Sequence, residues 1–452
     1  MARNRHGVIW SRIAGRPQKM GDLVLGEKEA AFTYTPEWRD SDRPGFCLLG
    51  DQRLWGEASV TYPVSERIPV FPRLLSLIPG NNPRNLQRRH YLELLRRQDG
   101  REPPPGMDTE WRLLLLGGHG GIGHVDVFAD DLTAERWYRH NPPAREAGGD
   151  PADAQSQLWR MVRREVLDEN LDFDPRLVEE VLGPTPSVGG MIPKLLVSLE
   201  DPEGRPRFHP PDTPGLHNVV LKIEPPEYRG LLDLEALCLA VHREAGFPVP
   251  DWWRIDRGEL RLLAVERFDR AQGRPLPMES LFSVIATGDH GFRETADILL
   301  EELGGVIARL GEVARLPADA GEHLYRRLLM ALLTGNGDLH LDNLSLLGGL
   351  EDCRWAPVYD PAPMRAWPRH DLVSAIPFDA SAHPDHGAFF LALGRHFGLD
   401  RRRSERCVRE ALEATADYPD RVQALAGVPQ RQREQLRRIA LQERALLTRH
   451  LG

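Results

Sequence analysis

Residues 335–343 read Gly335-Asn336-Gly337-Asp338-Leu339-His340-Leu341-Asp342-Asn343, and this stretch decides which fold we expect the chain to adopt. Phosphoryl transfer requires a carboxylate that orients the substrate hydroxyl and accepts its proton. It also requires an oxygen ligand for the magnesium that bridges the phosphates. Asp338 supplies the first group and Asn343, five residues later, supplies the second. Taken alone, the stretch is equally an ordinary surface turn, because Asp, Asn and Gly favour turns.

A further carboxylate follows in Ala356-Pro357-Val358-Tyr359-Asp360-Pro361. Asp360 comes directly after a short apolar run, the position from which a neighbouring strand end presents a second carboxylate to the metal ions of a kinase. The sequence therefore makes Asp360 a candidate magnesium ligand. The alternative is a plain Asp-Pro turn.

Upstream, Lys222 interrupts the apolar run Val219-Val220-Leu221-Lys222-Ile223. A lysine in such a strand is costly unless its charge is paired or reaches a phosphate. Glu235, on the helix predicted to follow, is the candidate partner in an ion pair that holds the ammonium group toward the phosphates. The alternative is an edge strand that leaves Lys222 in solvent.

Two further segments complete the set. Residues 187–194 read Ser-Val-Gly-Gly-Met-Ile-Pro-Lys, in which Gly189 and Gly190 let the backbone approach phosphates and Lys194 meets their charge. The stretch lacks the Lys-Ser/Thr ending of a Walker A loop, and a plain turn is the alternative. Residues 265–270, Val-Glu-Arg-Phe-Asp-Arg, end a predicted strand whose backbone groups can face an adenine edge, or simply carry solvated charges.

The order of these segments carries more information than any one of them. A Gly-rich turn, a strand lysine, a helix glutamate, a lobe connection, Asp-x4-Asn and a last Asp is the order found in protein-kinase-like phosphotransferases. We predict an α+β chain with a bilobal protein-kinase-like fold, a small sheet lobe before a mostly helical lobe. The predicted divisions are a β-rich N-terminal domain at 1–140, a linker at 141–157, the sheet lobe at 158–270 and the helical lobe at 271–452.

Composition restricts the class of protein. The chain has 452 residues, 41% hydrophobic and 28% charged, with a formal net charge of −9, so direct nucleic-acid binding is not the first expectation. Its four cysteines form no CxxC pair, which argues against a zinc site or a disulfide framework. No secretory signal and no apolar run of membrane-spanning length is evident, so a cytoplasmic location is predicted.

With these residues in view, the chain resembles the HipA-type kinases, the toxins of type II toxin–antitoxin modules. The matching segments, in order, are SVGGMIPKLLV, NVVLKIE, LEALCLAVHREAGFPVP, LLAVERFDR, GNGDLHLDNLSLL and APVYDPAPM, and GDLVLGEKEAAFTY resembles the family's N-terminal domain. The resemblance implies an ATP- and Mg²⁺-dependent serine/threonine kinase. It also implies that the kinase phosphorylates a cytoplasmic protein, often an aminoacyl-tRNA synthetase, to inhibit growth. A small helix-turn-helix antitoxin is implied as partner, with DNA contacted only through it and no membrane involved.

The resemblance also implies roles for individual residues. Asp338 is implied as the catalytic base, Asn343 and Asp360 as metal ligands, and Ser187 as a site of inactivating autophosphorylation, which would place charge beside an anion site. The residues implied in ATP binding are Gly189, Gly190, Met191, Ile192, Pro193, Lys194, Lys222, Glu266, Arg267, Phe268, His340, Asn343, Tyr359 and Asp360.

Three positions depart from the family pattern. Asp342 stands where a basic residue usually precedes the catalytic-loop Asn, Ile192 replaces a common polar residue in the phosphate loop, and Pro361 stiffens the turn after Asp360. None removes a required group, so activity is expected.

Two other functions stay open. GDLHLDN also resembles the catalytic loop of aminoglycoside and choline kinases, so a small-molecule phosphotransferase is the first alternative. The N-terminal sheet domain and VERFDR argue against it. The second alternative is an inactive kinase fold that acts as corepressor with a DNA-binding antitoxin.

Overall fold

The computed structural model describes residues 4–81, 85–140, 192–257 and 260–451. The chain divides into two compact units. Unit 1 contains Met1–Glu227, Asp251–Glu279 and Ala286–His290, and unit 2 contains Tyr228–Pro250, Ser280–Ile285 and Gly291–Gly452. These units are coarser than the predicted domains, whose boundaries stay a prediction.

The first sheet of unit 1 is antiparallel and five-stranded, in the order β4-β3-β2-β1-β5. Its strands are β1 Arg5–Ser11, β2 Gln18–Leu25, β3 Glu29–Tyr34, β4 Ser59–Pro63 and β5 Asp126–Phe128. The helices are α1 Pro36–Arg39, α2 Gln52–Trp55, α3 Pro72–Leu75, α4 Leu86–Asp99, α5 Met107–Gly117 and α6 Asp131–His140. Alternating burial along β3 places Phe32 and Tyr34 in an aromatic core with Phe46 and Phe71. The predicted N-terminal β-rich structure is thus present.

The segment around residues 110–128 contains both a helix and a strand. Its first half forms α5, and its second half returns as β5 to pair with β1. The Gly-rich stretch between them leads into a strand and not into a helix. The leucine run of α5 is a helix because Trp111, Leu113 and Leu114 are buried at helical spacing.

The second sheet of unit 1 is also antiparallel and five-stranded, in the order β7-β6-β8-β10-β9. Its strands are β6 Lys194–Glu200, β7 Arg207–His209, β8 His217–Ile223, β9 Trp252–Arg257 and β10 Leu260–Glu266. Short strands follow as β11 Arg270–Ala271, β12 Arg274–Pro275 and β13 Met278–Ser280. The three predicted strands are β6, β8 and β10, while β7 and β9 were not predicted.

Alternate residues of β8 face opposite sides of this sheet. Val219, Leu221 and Ile223 belong to an apolar cluster with residues from β6, β9 and β10. Val220 and Lys222 therefore lie on the other face. The sheet thus buries one apolar face and carries the lysine on the opposite one.

Unit 2 is mostly helical, as predicted from residue 290 onward. Its helices are α7 Leu231–Glu244, α8 Leu281–Gly288 (the end of which lies in unit 1), α9 Leu300–Val313, α10 Ala320–Thr334, α11 His386–Leu393, α12 Arg401–Ala414, α13 Tyr418–Ala424 and α14 Gln430–Arg449. Two short antiparallel strands, β14 Ser345–Leu347 and β15 Arg354–Trp355, follow the loop 335–343. Within the described residues, no helix combines the length and apolar character needed to cross a bilayer.

Candidate functional site

The stretch 335–343 begins where the buried helix α10 ends. Gly335 adopts a left-handed conformation, with φ of +72°, and its N–H bonds to the carbonyls of the last helical turn. Glycine favours this conformation at a helix end because it has no Cβ. At Gly337, a Cβ atom would lie 2.1 Å from the carbonyl oxygen of Leu372. The two glycines thus stop the helix and let the following loop pack closely on neighbouring backbone.

Hydrogen bonds within the loop hold its polar residues in place. Asn336 accepts from the Asp338 N–H at 3.2 Å, and the side-chain amide of Asn343 donates to the Asp338 carbonyl at 3.1 Å. The Asn343 N–H donates to the carbonyl of His340 at 3.0 Å. This amide orientation, assigned from the hydrogen bond, leaves Oδ1 as the Asn343 atom that can face a cation. Asp338 and Asn343 are therefore connected by a hydrogen bond within the loop, and their roles stay a prediction.

Asp360 lies on a strained piece of backbone. Its φ is +54°, a conformation that side chains with a Cβ seldom adopt. Its carbonyl accepts from the Ala362 N–H at 2.8 Å. Such strain is found most often at functional sites, so the conformation is compatible with a ligand role for Asp360.

Tyr359 connects this segment to the loop. Its hydroxyl donates to the carbonyl of Asp342 at 2.6 Å and lies 2.6 Å from the hydroxyl of Ser345. Since Tyr359 precedes Asp360 and Asp342 precedes Asn343, the two candidate metal ligands adjoin residues that touch. Burial raises the pKa of Tyr359 well above its usual value, and the nearby charges of Asp342 and Asp360 raise it further. The hydroxyl thus stays protonated and able to donate.

The imidazole of His370 lies within the electrostatic influence of Asp338. Burial and the neighbouring Arg369 lower the pKa of His370, while the carboxylate of Asp338 raises it. At neutral pH the imidazole of His370 is therefore uncharged. It adds no positive charge that would lower the proton affinity of the Asp338 carboxylate. This favours the availability of Asp338 as a proton acceptor.

Lys222 and Lys194 face each other in unit 1. The strand β8 is the central strand of its sheet, and Lys222 pairs in register with Lys194 of β6. Directly opposite residues of antiparallel strands project from the same face. Lys222 is 3% exposed and Lys194 is 6% exposed, so the alternative of an edge strand with a solvated lysine is wrong. The two residues concentrate positive charge on one face of the sheet.

Glu235 lies on α7 of unit 2 and is fully buried. Its predicted ion pair with Lys222, a residue of unit 1, stays a prediction.

The segment Glu266–Arg270 is held by a cluster of buried charges in unit 1, which we call the arginine–aspartate cluster. Its members are Arg12, Asp212, Arg267, Asp269 and Arg270. Asp269 accepts from Arg267, from Arg270 and from the N–H of Gly123, all between 2.8 and 2.9 Å. Arg267 also donates to the carbonyl of Gly121 at 2.7 Å. The Arg267 side chain is therefore engaged in this cluster, whereas Glu266 and Phe268 on either side are only partly buried.

Part of the predicted phosphate loop lies outside the described residues, namely Ser187, Gly189, Gly190 and Met191. Of the remainder, Ile192 is half-buried and Pro193 is buried. The Pro193 carbonyl accepts from the Ile223 N–H at 3.0 Å, beside Lys222. The end of the loop is thus attached to the strand that carries the lysine.

Two contributors to the site were not predicted. Arg365 donates to Glu443 at 2.9 Å and to Asp371 at 2.8 Å, and its N–H reaches the carbonyl of Gly335 at 3.3 Å. It therefore ties the start of the loop to helix α14. Ser280 donates to the Asp342 carboxylate at 3.1 Å. The only sequence signal was a glutamate at an interior position of α14, which a single sequence does not connect to Arg365.

The donor set suits magnesium better than a metal held by protein alone. Asn343 and Asp360 offer oxygen atoms, which Mg²⁺ prefers, and Mg²⁺ usually completes its shell with phosphates and water. Within the described part of the chain, no group of three or more His, Cys, Asp or Glu side chains is placed to hold a metal. The residues present therefore fit an ion that arrives with a nucleotide.

Comparison with known proteins places this geometry in context. Residues 186–418 match the family model described as HipA-like C-terminal domain. A protein of Haemophilus influenzae named "Putative kinase" is 26% identical over 230 residues, which are 45% of this chain and 62% of that protein. A protein of Sinorhizobium fredii named "Putative kinase Y4dM" is 27% identical over 172 residues, 35% of this chain and 38% of that protein. The chain thus spans less than two thirds of the length of either curated relative.

A solved structure extends the likeness to nearly the whole chain. HipA of Shewanella oneidensis, determined with HipB and its operator DNA, superposes with a TM-score of 0.62 at 19% identity and covers 96% of both chains. At this identity the likeness concerns the fold. The predicted fold class, an α+β protein-kinase-like fold with a β-rich N-terminal part, is confirmed.

Proposed function

Because the chain belongs to the family that carries the HipA-like C-terminal domain, we propose that it is an ATP- and Mg²⁺-dependent serine/threonine protein kinase. The observation that supports the proposal is the pair of hydrogen bonds that connects Asp338 with Asn343 and their loop with the segment that contains Asp360, all within unit 2. The Asn343 amide bonds to the Asp338 carbonyl, and Tyr359 bonds to the Asp342 carbonyl. A proton-accepting carboxylate and two oxygen ligands for Mg²⁺ are what phosphoryl transfer requires, and these connected segments contain candidates for all three.

In this proposal each residue has a distinct task. The Asp338 carboxylate orients the hydroxyl of the acceptor serine or threonine and accepts its proton as the phosphoryl group is transferred. The amide oxygen of Asn343 and the Asp360 carboxylate hold Mg²⁺, which neutralises charge on the phosphates. Tyr359 and Asn336 keep the loop in place through its main chain, so the acceptor meets a preformed site.

The two lysines of unit 1 support the nucleotide part of the proposal. Lys194 and Lys222 project from one face of a buried sheet, and paired ammonium groups attract the phosphates of ATP. We place Gly189, Gly190 and Met191 with them as the phosphate loop, and Glu266 and Phe268 at the adenine. The assignment of Ser187 as a site of inactivating autophosphorylation remains part of the proposal.

Substrate and partner are proposed by analogy with the family. We propose a cytoplasmic protein substrate, such as an aminoacyl-tRNA synthetase, whose phosphorylation inhibits growth. We also propose a small DNA-binding antitoxin as partner, because the structurally similar Shewanella HipA was solved with HipB and operator DNA. A short helix-turn-helix gene beside this one, whose product copurifies with the chain, is the expected result. A chain that binds no such product would contradict the partner.

The test of the activity is incubation of the purified full chain with radiolabelled ATP, Mg²⁺ and a bacterial cell extract. We expect label on a protein band, and we expect Asp338→Asn to lower the rate by about 10²- to 10⁴-fold, the usual contribution of a general base. Mass spectrometry of the band should place the phosphate on serine or threonine.

The controls separate lost chemistry from lost structure. Asp420→Asn changes an exposed carboxylate of the same unit and should leave the rate unchanged. Label confined to small molecules would favour an aminoglycoside- or choline-kinase-like enzyme. Full activity of Asp338→Asn, with folding intact, would remove the kinase proposal.

A further inference from the structure

Asp342 is held in a fixed position on the surface of the catalytic loop. Its N–H donates to Nδ1 of His340 at 3.2 Å, and its carbonyl accepts from the Tyr359 hydroxyl at 2.6 Å. One carboxylate oxygen, Oδ1, accepts from the Ser280 hydroxyl at 3.1 Å. The side chain is nevertheless 56% exposed. Asp342 is therefore an oriented carboxylate that faces solvent.

The second oxygen of this carboxylate has no donor of its own. The nearest cationic candidate for Oδ2 is His340 Nδ1, at 3.8 Å, and that nitrogen already accepts the Asp342 N–H. Within the described part of the chain, no other donor lies within hydrogen-bond distance of Oδ2. A carboxylate can accept about four hydrogen bonds, so most of the capacity of Asp342 is unused.

Asp342 does not face the position proposed for the metal. Leu341–Asn343 form a 3₁₀ turn, in which successive side chains point about 120° apart. Asn343 is 6% exposed and turns inward to the Asp338 carbonyl, while Asp342 turns outward. The outward carboxylate is therefore accessible to a molecule from solvent, four residues along the loop from Asp338.

We propose that Asp342 recognises a lysine or arginine side chain close to the phosphorylated residue, so that the substrate is a basic segment of a protein. This inference rests on the proposed kinase function and names its substrate class. A carboxylate with an open oxygen forms charge-assisted hydrogen bonds with ammonium or guanidinium groups. Because the backbone and Oδ1 are already fixed, the site requires little ordering when the substrate binds.

The test compares the phosphorylation sites made by three proteins in one bacterial cell extract, mapped by mass spectrometry. The proteins are the wild type, Asp342→Lys and the matched control Asp420→Lys, which reverses an exposed charge elsewhere in unit 2. We expect wild-type sites to be enriched in Lys or Arg at a fixed distance from the acceptor. Asp342→Lys should lose the enrichment and phosphorylate those sites at least about tenfold more slowly, whereas Asp420→Lys should match the wild type.

Other outcomes separate this inference from the kinase proposal. Wild-type sites without basic neighbours, or an unchanged set of sites for Asp342→Lys, would overturn the recognition of a basic segment and leave the kinase standing. A different result would be that Asp342→Asn transfers phosphate more slowly at the same set of sites and regains its rate in excess Mg²⁺. That result would show that Asp342 is a metal ligand, and it would also overturn the recognition of a basic segment. Label on aminoglycosides alone would show that the cationic group recognised by Asp342 belongs to a small molecule. It would reject the protein substrate. The absence of any transfer by the wild type would reject both proposals.

Discussion

The arginine–aspartate cluster of unit 1 and the loop of unit 2 both collect acidic side chains, but they hold them in opposite ways. In the cluster, carboxylates such as that of Asp269 are surrounded by guanidinium groups and N–H donors, and the buried charge of each aspartate is matched by arginine. In the loop, the Asp338 N–H donates to Asn336, the Asp338 carbonyl accepts from Asn343, and the Asp360 carbonyl accepts from the Ala362 N–H. The carboxylates of the cluster serve the fold, whereas those of the loop are the ones that we propose to bind substrate and metal.

The pKa values follow the same division. The charges of Arg267 and Arg270 outweigh burial and lower the pKa of Asp269 to about 2. Burial and the charges of the cluster act on Asp212 in the same way, and its pKa also falls. These carboxylates are therefore ionised across the physiological pH range and contribute to stability rather than to proton transfer.

Replacing the same residue type in both regions should give the largest contrast. Asp269→Asn leaves two buried guanidinium groups with too little negative charge, and we expect it to lower the free energy of unfolding by about 3–5 kcal/mol. Asp338→Asn, the matched change in the loop, should alter it by less than about 1 kcal/mol. Denaturant unfolding of both proteins measures this difference.

For the rate of phosphate transfer we expect the opposite pattern, with a large loss in Asp338→Asn and a smaller one in Asp269→Asn. Any fall in the rate of Asp269→Asn should be explained by its lower stability and should diminish on cooling or with a stabilising osmolyte. If Asp338→Asn destabilises the chain as much as Asp269→Asn does, the division between carboxylates that serve the fold and carboxylates that serve the reaction is wrong.

A smaller effect is expected from a buried residue of unit 2 whose charge would have no counter-ion. His242 on α7 donates Nδ1–H to the carbonyl of Cys238, and burial, helped by Arg327, lowers its pKa to about 4. An unfolded histidine titrates near 6.5, so the unfolded chain binds the extra proton first. The associated stability is complete above pH 6.5 and is lost as the pH falls toward 4.

This pH dependence can be isolated with one variant. Between pH 7 and pH 5 we expect His242 to contribute a loss of about 2 kcal/mol in the free energy of unfolding. His242→Leu should have a lower free energy of unfolding than the wild type at both pH values. Its free energy of unfolding should also change less between pH 7 and pH 5 than that of the wild type. An identical pH profile for the two proteins would mean that His242 is protonated inside the fold. The other buried histidines, such as His90 and His124, keep a residual acid sensitivity in both.

The sequence was most informative where chemistry restricts residue type within a short stretch. The strand of Lys222, the helix of Glu235 and the loop from Asp338 to Asn343 were predicted because apolar periodicity and polar spacing are local signals. Strand β5 was missed because three residues gain their conformation from pairing with β1 across more than 100 positions. Backbone strain at Asp360 and the bond from Tyr359 to Asp342 also depend on tertiary contacts, which a single sequence does not record.

The smallest expected change tests the strain at Asp360. A left-handed residue with a Cβ costs roughly 1 kcal/mol, and glycine relieves this cost while the unfolded chain gains a similar amount of entropy. We therefore expect Asp360→Gly to change the free energy of unfolding by less than about 1 kcal/mol. The same variant removes a proposed metal ligand and should abolish phosphate transfer. Urea unfolding of this variant, with Asp360→Ala as the control that keeps the Cβ, measures the strain directly. Asp360→Ala should be the less stable of the two, because it retains the unfavourable backbone without the polar side chain. If Asp360→Gly were the less stable variant, the side chain of Asp360 would be holding the fold, and it would belong with the matched carboxylates of unit 1.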